Sequence, residues 1–168
     1  MKRKLVSTAA LVAALAMVGY AQKKPDFSGT WTVDQTATDA ANASTTTPAP
    51  AGTAGGGGGG MRGGGPGGPM TIKQTGDTLS IERQGRNGLQ TTAYKLDGTD
   101  QEIAMGQMTI KAKSKWDGDK IVVEQTRPGQ DGTPVASTIT YSLDKDGNLW
   151  VENKGPNGTR KTAYKKST

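Results

Sequence analysis

From Met108 to Arg127 the chain reads MTIKAKSKWDGDKIVVEQTR, and in its first half apolar or small side chains take every second place. Met108, Ile110, Ala112, Ser114 and Trp116 alternate with Thr109, Lys111, Lys113 and Lys115, the two-residue period of a strand with one dry and one wet face. Asp117-Gly118 then supplies a two-residue turn suited to positive φ, and Ile121 and Val123 carry the alternation back. Centring the turn on Asp117-Gly118 sets Lys111 beside Glu124, Thr109 beside Thr126 and Ala112 beside Val123, whereas a four-residue turn shifts the partners and keeps every side chain on its face. A hairpin of this kind needs a further layer or a closed sheet to cover its apolar face.

The same signals recur on both sides. Trp31 and Val33 share a face in the strand entered through Gly29. Thr71 to Thr75 and Thr78 to Gln84 flank Gly76-Asp77, with Ile72, Gln74, Leu79 and Ile81 on one face. Gly85 to Gly88 turns into Leu89 to Leu96, where Thr92, Tyr94 and Leu96 align, and Asp97-Gly98 closes that strand. Glu102 to Met105 leads into the hairpin above, with Gly106 as a bulge or bend. Later, Ile139, Tyr141 and Leu143 alternate up to Asp144-Lys145-Asp146-Gly147-Asn148, a type I turn with Gly147 left-handed that sets Leu143 beside Leu149 and Tyr141 beside Val151, with Trp150 outward and exposed. Arg160 to Lys165 ends the series, with Thr162 and Tyr164 inward. The pattern predicts about nine strands, about eight of them in a continuous hairpin meander, and no helix beyond the N-terminal segment. Tight turns make the strands antiparallel, and a meander this long closes or exposes its edges. The expectation is an all-β up-and-down barrel of about eight or nine strands.

Two segments stand apart. Lys2, Arg3 and Lys4, the apolar run Leu5 to Val18 and Gly19-Tyr20-Ala21 have the order of a secretory signal, so 1–21 is expected to be removed and 22–168 to form one domain, periplasmic or extracellular, with no membrane span left. The apolar run is shorter than the ~20 residues a spanning helix needs. Residues 36–69 turn to Ala, Thr, Pro and then nearly pure Gly, too little apolar surface to offset ordering, and read as a flexible loop inside the domain. Of 21 Lys and Arg against 15 Asp and Glu, three bases fall in the signal, leaving 18 against 15, or +3, a balance that does not call for nucleic acid.

With Gly29-Thr30-Trp31 opening the first strand before a meander, the chain resembles the lipocalin-like, or calycin, barrels. More narrowly, Asp26-Phe27-Ser28-Gly29-Thr30-Trp31, Tyr94-Lys95-Leu96-Asp97-Gly98, Trp116-Asp117-Gly118-Asp119-Lys120, Tyr141-Ser142-Leu143-Asp144-Lys145-Asp146-Gly147 and Tyr164-Lys165-Lys166 are similar to small exported bacterial proteins of uncharacterised function. The resemblance implies a barrel that binds small apolar molecules, with Trp31 at the closed end beneath an Arg of the last strand, for which Arg160 is the match. The T-D-Y motif, C-terminal helix and disulfides of that family are absent from this sequence.

The residues present exclude several chemistries. With no His and no Cys, the Ser-His-Asp and Cys-His triads, His/Cys zinc sites and haem ligation by those residues are out. Asp117 and Asp119 are the closest carboxylate pair, but an Asp-Gly turn already accounts for them. An EF-hand starting at Asp144 would need Gly sixth and Glu twelfth, where Leu149 and Gly155 stand. The basic stripe Lys111, Lys113, Lys115 and Lys120 lies opposite Trp116, unlike a base-stacking groove. We therefore expect no catalytic residue, no cofactor and no metal.

The inward set expected from alternation supplies the ligand-cavity candidates Trp31, Ile81, Tyr94, Met108, Ile110, Ala112, Ser114, Trp116, Val123, Tyr141 and Tyr164. Small or polar inward positions such as Gln74, Thr92, Ser114, Gln125 and Thr162 fit two readings. One is a cavity for a small apolar or amphipathic ligand, and the other is a filled barrel acting as a structural or interaction module of the cell envelope.

Overall fold

A computed structural model describes residues 24–43, 68–85, 88–105, 108–129 and 131–167. The expected signal 1–21, residues 44–67 of the Gly-rich stretch and the bend at Gly106 lie outside them. The strands are β1 (Gly29–Asp34), β2 (Met70–Thr75), β3 (Thr78–Gly85), β4 (Gly88–Lys95), β5 (Asp97–Met105), β6 (Met108–Asp117), β7 (Lys120–Pro128), β8 (Pro134–Leu143), β9 (Leu149–Gly155) and β10 (Gly158–Ser167). They form one antiparallel sheet in the order β4-β3-β2-β1-β10-β9-β8-β7-β6-β5, rolled into a nearly closed barrel. The stretch from Glu102, expected as a lead-in, is instead the end of β5, a strand in its own right paired with β6.

Closure happens where the chain's two ends meet. β1 lies between β2 and β10, with Trp31 opposite both Met70 and Lys166. The place left open is unexpected: β4 and β5, joined through Leu96 alone, are the two edges of the sheet and are not paired with each other. Asp97-Gly98 is therefore not a hairpin turn. The Asp97 carboxylate accepts from the backbone N (2.9 Å) and hydroxyl (2.7 Å) of Thr99, the register shifts between Asp97 and Asp100, and Leu96 N donates to Asp77 O at 2.7 Å. These bonds turn the chain away from β4. Across the resulting seam, Lys95 N donates to the Gln101 side chain at 3.2 Å.

The hairpin between β6 and β7 keeps the expected faces with a shifted register. Asp117 pairs with Lys120, so Gly118-Asp119 is the turn, and Lys111 meets Thr126, Ala112 meets Gln125 and Lys113 meets Glu124. Moving the turn by one residue shifts each partner by two, which preserves the face. The β8–β9 turn is as read: Gly147 has φ 81°, Leu143 pairs with Leu149 and Tyr141 with Val151. Trp150 is half-buried there, not exposed, because its Nε1 donates to Asp144 Oδ2 at 3.2 Å.

Helix α1 (Gln35–Ala43) replaces the start of the expected flexible loop. Asp34 caps it, its carboxylate accepting from Ala37 N at 3.1 Å while pairing with Lys165 at 2.8 Å. Where β1 ends, β10 has bare backbone groups, and α1 takes them up. Thr38 Oγ1 accepts from Ala163 N at 3.0 Å; Asn42 accepts from Lys161 N at 3.0 Å and donates to Lys161 O at 2.8 Å. The helix thus stands in for a strand along that edge.

Inside, the core joins Trp31, Ile72, Leu79, Ile81, Tyr94, Leu96, Ile110, Ala112, Ile121, Val123, Tyr141, Leu149, Val151 and Tyr164, all expected, with Val33, Trp116, Ile139 and Leu143 partly buried against it. Phe27, Met70 and Ile103 belong to it and were not expected. Met108 does not belong, because it sits at the tip of the β5–β6 hairpin and is 49% exposed.

Candidate functional site

The barrel's two ends differ. At the end carrying the β6–β7 and β8–β9 turns, residues 25–28 cross the opening and are clamped by Gln74, which accepts from Phe27 N at 3.0 Å, donates to Pro25 O at 3.1 Å, and whose backbone N donates to Ser28 Oγ at 3.1 Å. Trp31 Nε1 donates to Phe27 O at 3.0 Å, and the rings of Phe27 and Trp116 lie 6.0 Å apart. This end is sealed by aromatic packing. The cation over Trp31 is Lys166, 5.6 Å from the ring, in place of the expected Arg160, which lies toward the opposite end of β10. Lys24 covers Trp116 at 4.9 Å.

Of the expected cavity residues, Trp31, Ile81, Tyr94, Ile110, Ala112, Ser114, Val123, Tyr141 and Tyr164 are buried in the interior. Trp116 is half-buried at the sealed end, its Nε1 without a partner, and Met108 stands outside.

One half-buried residue on an inward phase, near the tip end of β3, was not expected there. Arg83 continues the inward phase of Leu79 and Ile81 on β3, opposite Met70 and Gln90. Its Nη2 donates to Met70 Sδ at 3.1 Å, while its Nε is buried and has no hydrogen-bond partner. Its guanidinium charge is felt electrostatically by the buried Tyr94, Tyr141 and Tyr164, which come from β4, β8 and β10. Burial raises all three phenols, to about 12 for Tyr164, and Arg83 pulls each back down against that rise.

The charge pattern of the inward phases is one-sided. Half-buried Arg83 and, at exposed strand ends, Arg127, Arg160 and Lys166 occupy inward phases of their strands, whereas among the described strands every Asp and Glu, including Glu82, Glu102, Glu124 and Glu152, takes an outward phase. Arg83 is half-buried, and its inaccessible Nε–H is a donor left unsatisfied. It is a donor suited to an anionic oxygen. The signal that could have found it is the spacing Leu79, Ile81, Arg83, which a preference for placing Arg at the surface overrides.

A recess of about 750 Å³ lies along β6 to β9, away from Arg83. It is bordered by the outward residues Lys111, Lys113, Glu124, Ala136, Thr138 and Lys154 and by Ala112, Gln125 and Ser137 of the inward phase, and by none of Ile110, Val123, Ile139 or Val151. Among the described residues no helix is long and apolar enough to cross a membrane.

No known family matches the chain, and no curated protein does. Among solved structures it is similar to the "REP1-NXSQ fatty acid transporter", at 23% identity over 60% of this chain and 70% of that one, with a TM-score of 0.48. It is similar to a single-site mutant of the same transporter at 22% identity, over 59% and 71% of the two chains and with the same TM-score.

Proposed function

We propose that this protein is an exported, non-enzymatic barrel that binds a small amphipathic acid in its interior, the acid group meeting Arg83 and the apolar part lying against the core. The observation carrying this reading is the inaccessible, unpartnered Nε of Arg83 on the inward phase of β3, with no carboxylate at any inward position of the described strands. An anionic ligand would complete a hydrogen bond that the chain leaves open, in surroundings where a charge-assisted bond is strong. The interior tyrosines are neutral phenols, which burial moves still further above their ordinary value of 10. Export rests on the basic-then-apolar order of residues 2–18.

A second reading, a filled barrel acting through its outer face, is favoured by the burial of Trp31, Tyr141 and Tyr164 in the interior and by a 750 Å³ recess that Arg83 does not line. Titration with an environment-sensitive fluorescent fatty acid separates the two. The acid-binding reading predicts saturable binding, weakened about tenfold or more in Arg83→Met and partly restored in Arg83→Lys, with a matched fatty alcohol bound equally by all three. A well-folded wild-type protein that binds neither probe would refute it and leave the filled barrel.

A further inference from the structure

The exposed large apolar side chains of the described residues are Leu89 (66%), Met105 (41%) and Met108 (49%). All three lie on the two hairpins flanking the seam, Leu89 on β4, Met105 on β5 and Met108 on β6. Near Leu96 the seam is bridged where Lys95 N donates to the Gln101 side chain, and β4 and β5 stay unpaired from there to the hairpin tips. Leu89 and Met105 stand at that far end, seven and nine residues from the corner and roughly 20–30 Å along the strands. Met105 and Met108 pair across their hairpin.

We infer that this open end of the seam, presenting Leu89, Met105 and Met108, docks onto the surface of a lipid bilayer. A second copy of the chain is a poor occupant. A stable dimer buries about 800 Å² on each partner, with a packed apolar centre, and three side chains on two hairpins fall well short. A shallow, reversible membrane contact requires only a few apolar side chains at protruding points and bases to meet anionic headgroups. The bases are at hand: Arg127 follows Thr126, the partner of Lys111, on the strand beside β6, and Arg160 lies near the β9–β10 turn at the same end, both exposed. The acids of the two hairpins are already opposed, Glu102 by Lys111 across the strands and Glu82 by Lys73 at 2.8 Å. Docking there would also set the bilayer against the unpaired gap in the barrel wall, a consequence that rests on the proposed interior binding.

The test is flotation with vesicles of mixed phosphatidylcholine and phosphatidylglycerol. It compares wild type with the triple variant Leu89→Ser, Met105→Ser, Met108→Ser, whose changes fall on exposed side chains and whose fold is checked by circular dichroism. Wild type is expected to float with the vesicles, and the variant to partition about tenfold less or worse, while both bind the fluorescent acid equally in vesicle-free solution. Wild type left in the aqueous layer, equal partition of the variant, or a wild-type dimer abolished by the substitutions would each overturn the inference. If neither protein binds the acid but wild type alone floats, docking stands and the interior reading fails.

Discussion

The carboxylate of Asp144 shows how a single residue holds a turn. Oδ1 accepts from the backbone N of Asp146 (2.9 Å) and Asn148 (2.8 Å), and Oδ2 from Asn148 Nδ2 (3.0 Å) and Trp150 Nε1 (3.2 Å). Burial pushes its pKa up, but these donors outweigh burial and hold it at about 2, below the ordinary 3.8. A depressed folded-state pKa contributes stability that is present above about 3.8 and is lost as pH falls through about 2. Denaturant midpoints across that range should therefore fall steeply for wild type and less steeply for Asp144→Ala, with equal slopes counting against the cage. This turn was legible in the sequence because its partners lie within six residues of one another. Arg83 was not, although its spacing is as plain as that of Ile81, because Arg is ordinarily a surface residue and its inward phase follows only from the register of β3.

Elements were legible where a period of two ran unbroken, as in β6, β7 and β8, and illegible where local composition resembled something else. Helix α1 begins in a run of Thr and Ala that reads as the opening of the low-complexity stretch, yet Asp34 three residues before Ala37 is an ordinary N-cap. Its length is marginal for an isolated helix, so its stability comes from β10. Asn42→Ala removes both hydrogen bonds to Lys161 and is expected to cost about 1–2 kcal/mol. Hydrogen exchange reads this directly: the amides of Lys161 and Ala163 should lose protection while those of Val151 and Tyr141 keep theirs, and unchanged exchange at Lys161 would show that the helix does not guard that edge.

At the scale of the whole molecule, alternation established the barrel but not its seam. Asp97-Gly98 has the letters of a hairpin turn, and only the non-local bonds of Leu96 to Asp77 and of Asp97 to Thr99 turn it into a corner that parts β4 from β5. Nor could spacing alone say that every inward base would lack an inward acid, since that depends on the phase of ten strands together. Arg83, half-buried with its Nε unsatisfied on the inward phase of β3, is where fold and proposed function meet. The measurement that reaches this claim most directly is the Nε–H resonance of Arg83 in arginine-labelled protein, assigned with Arg83→Lys and followed by NMR as a long-chain fatty acid is added. The account predicts a large downfield shift that saturates with the acid and does not occur with the corresponding alcohol. A resonance that stays in place through the titration would contradict it.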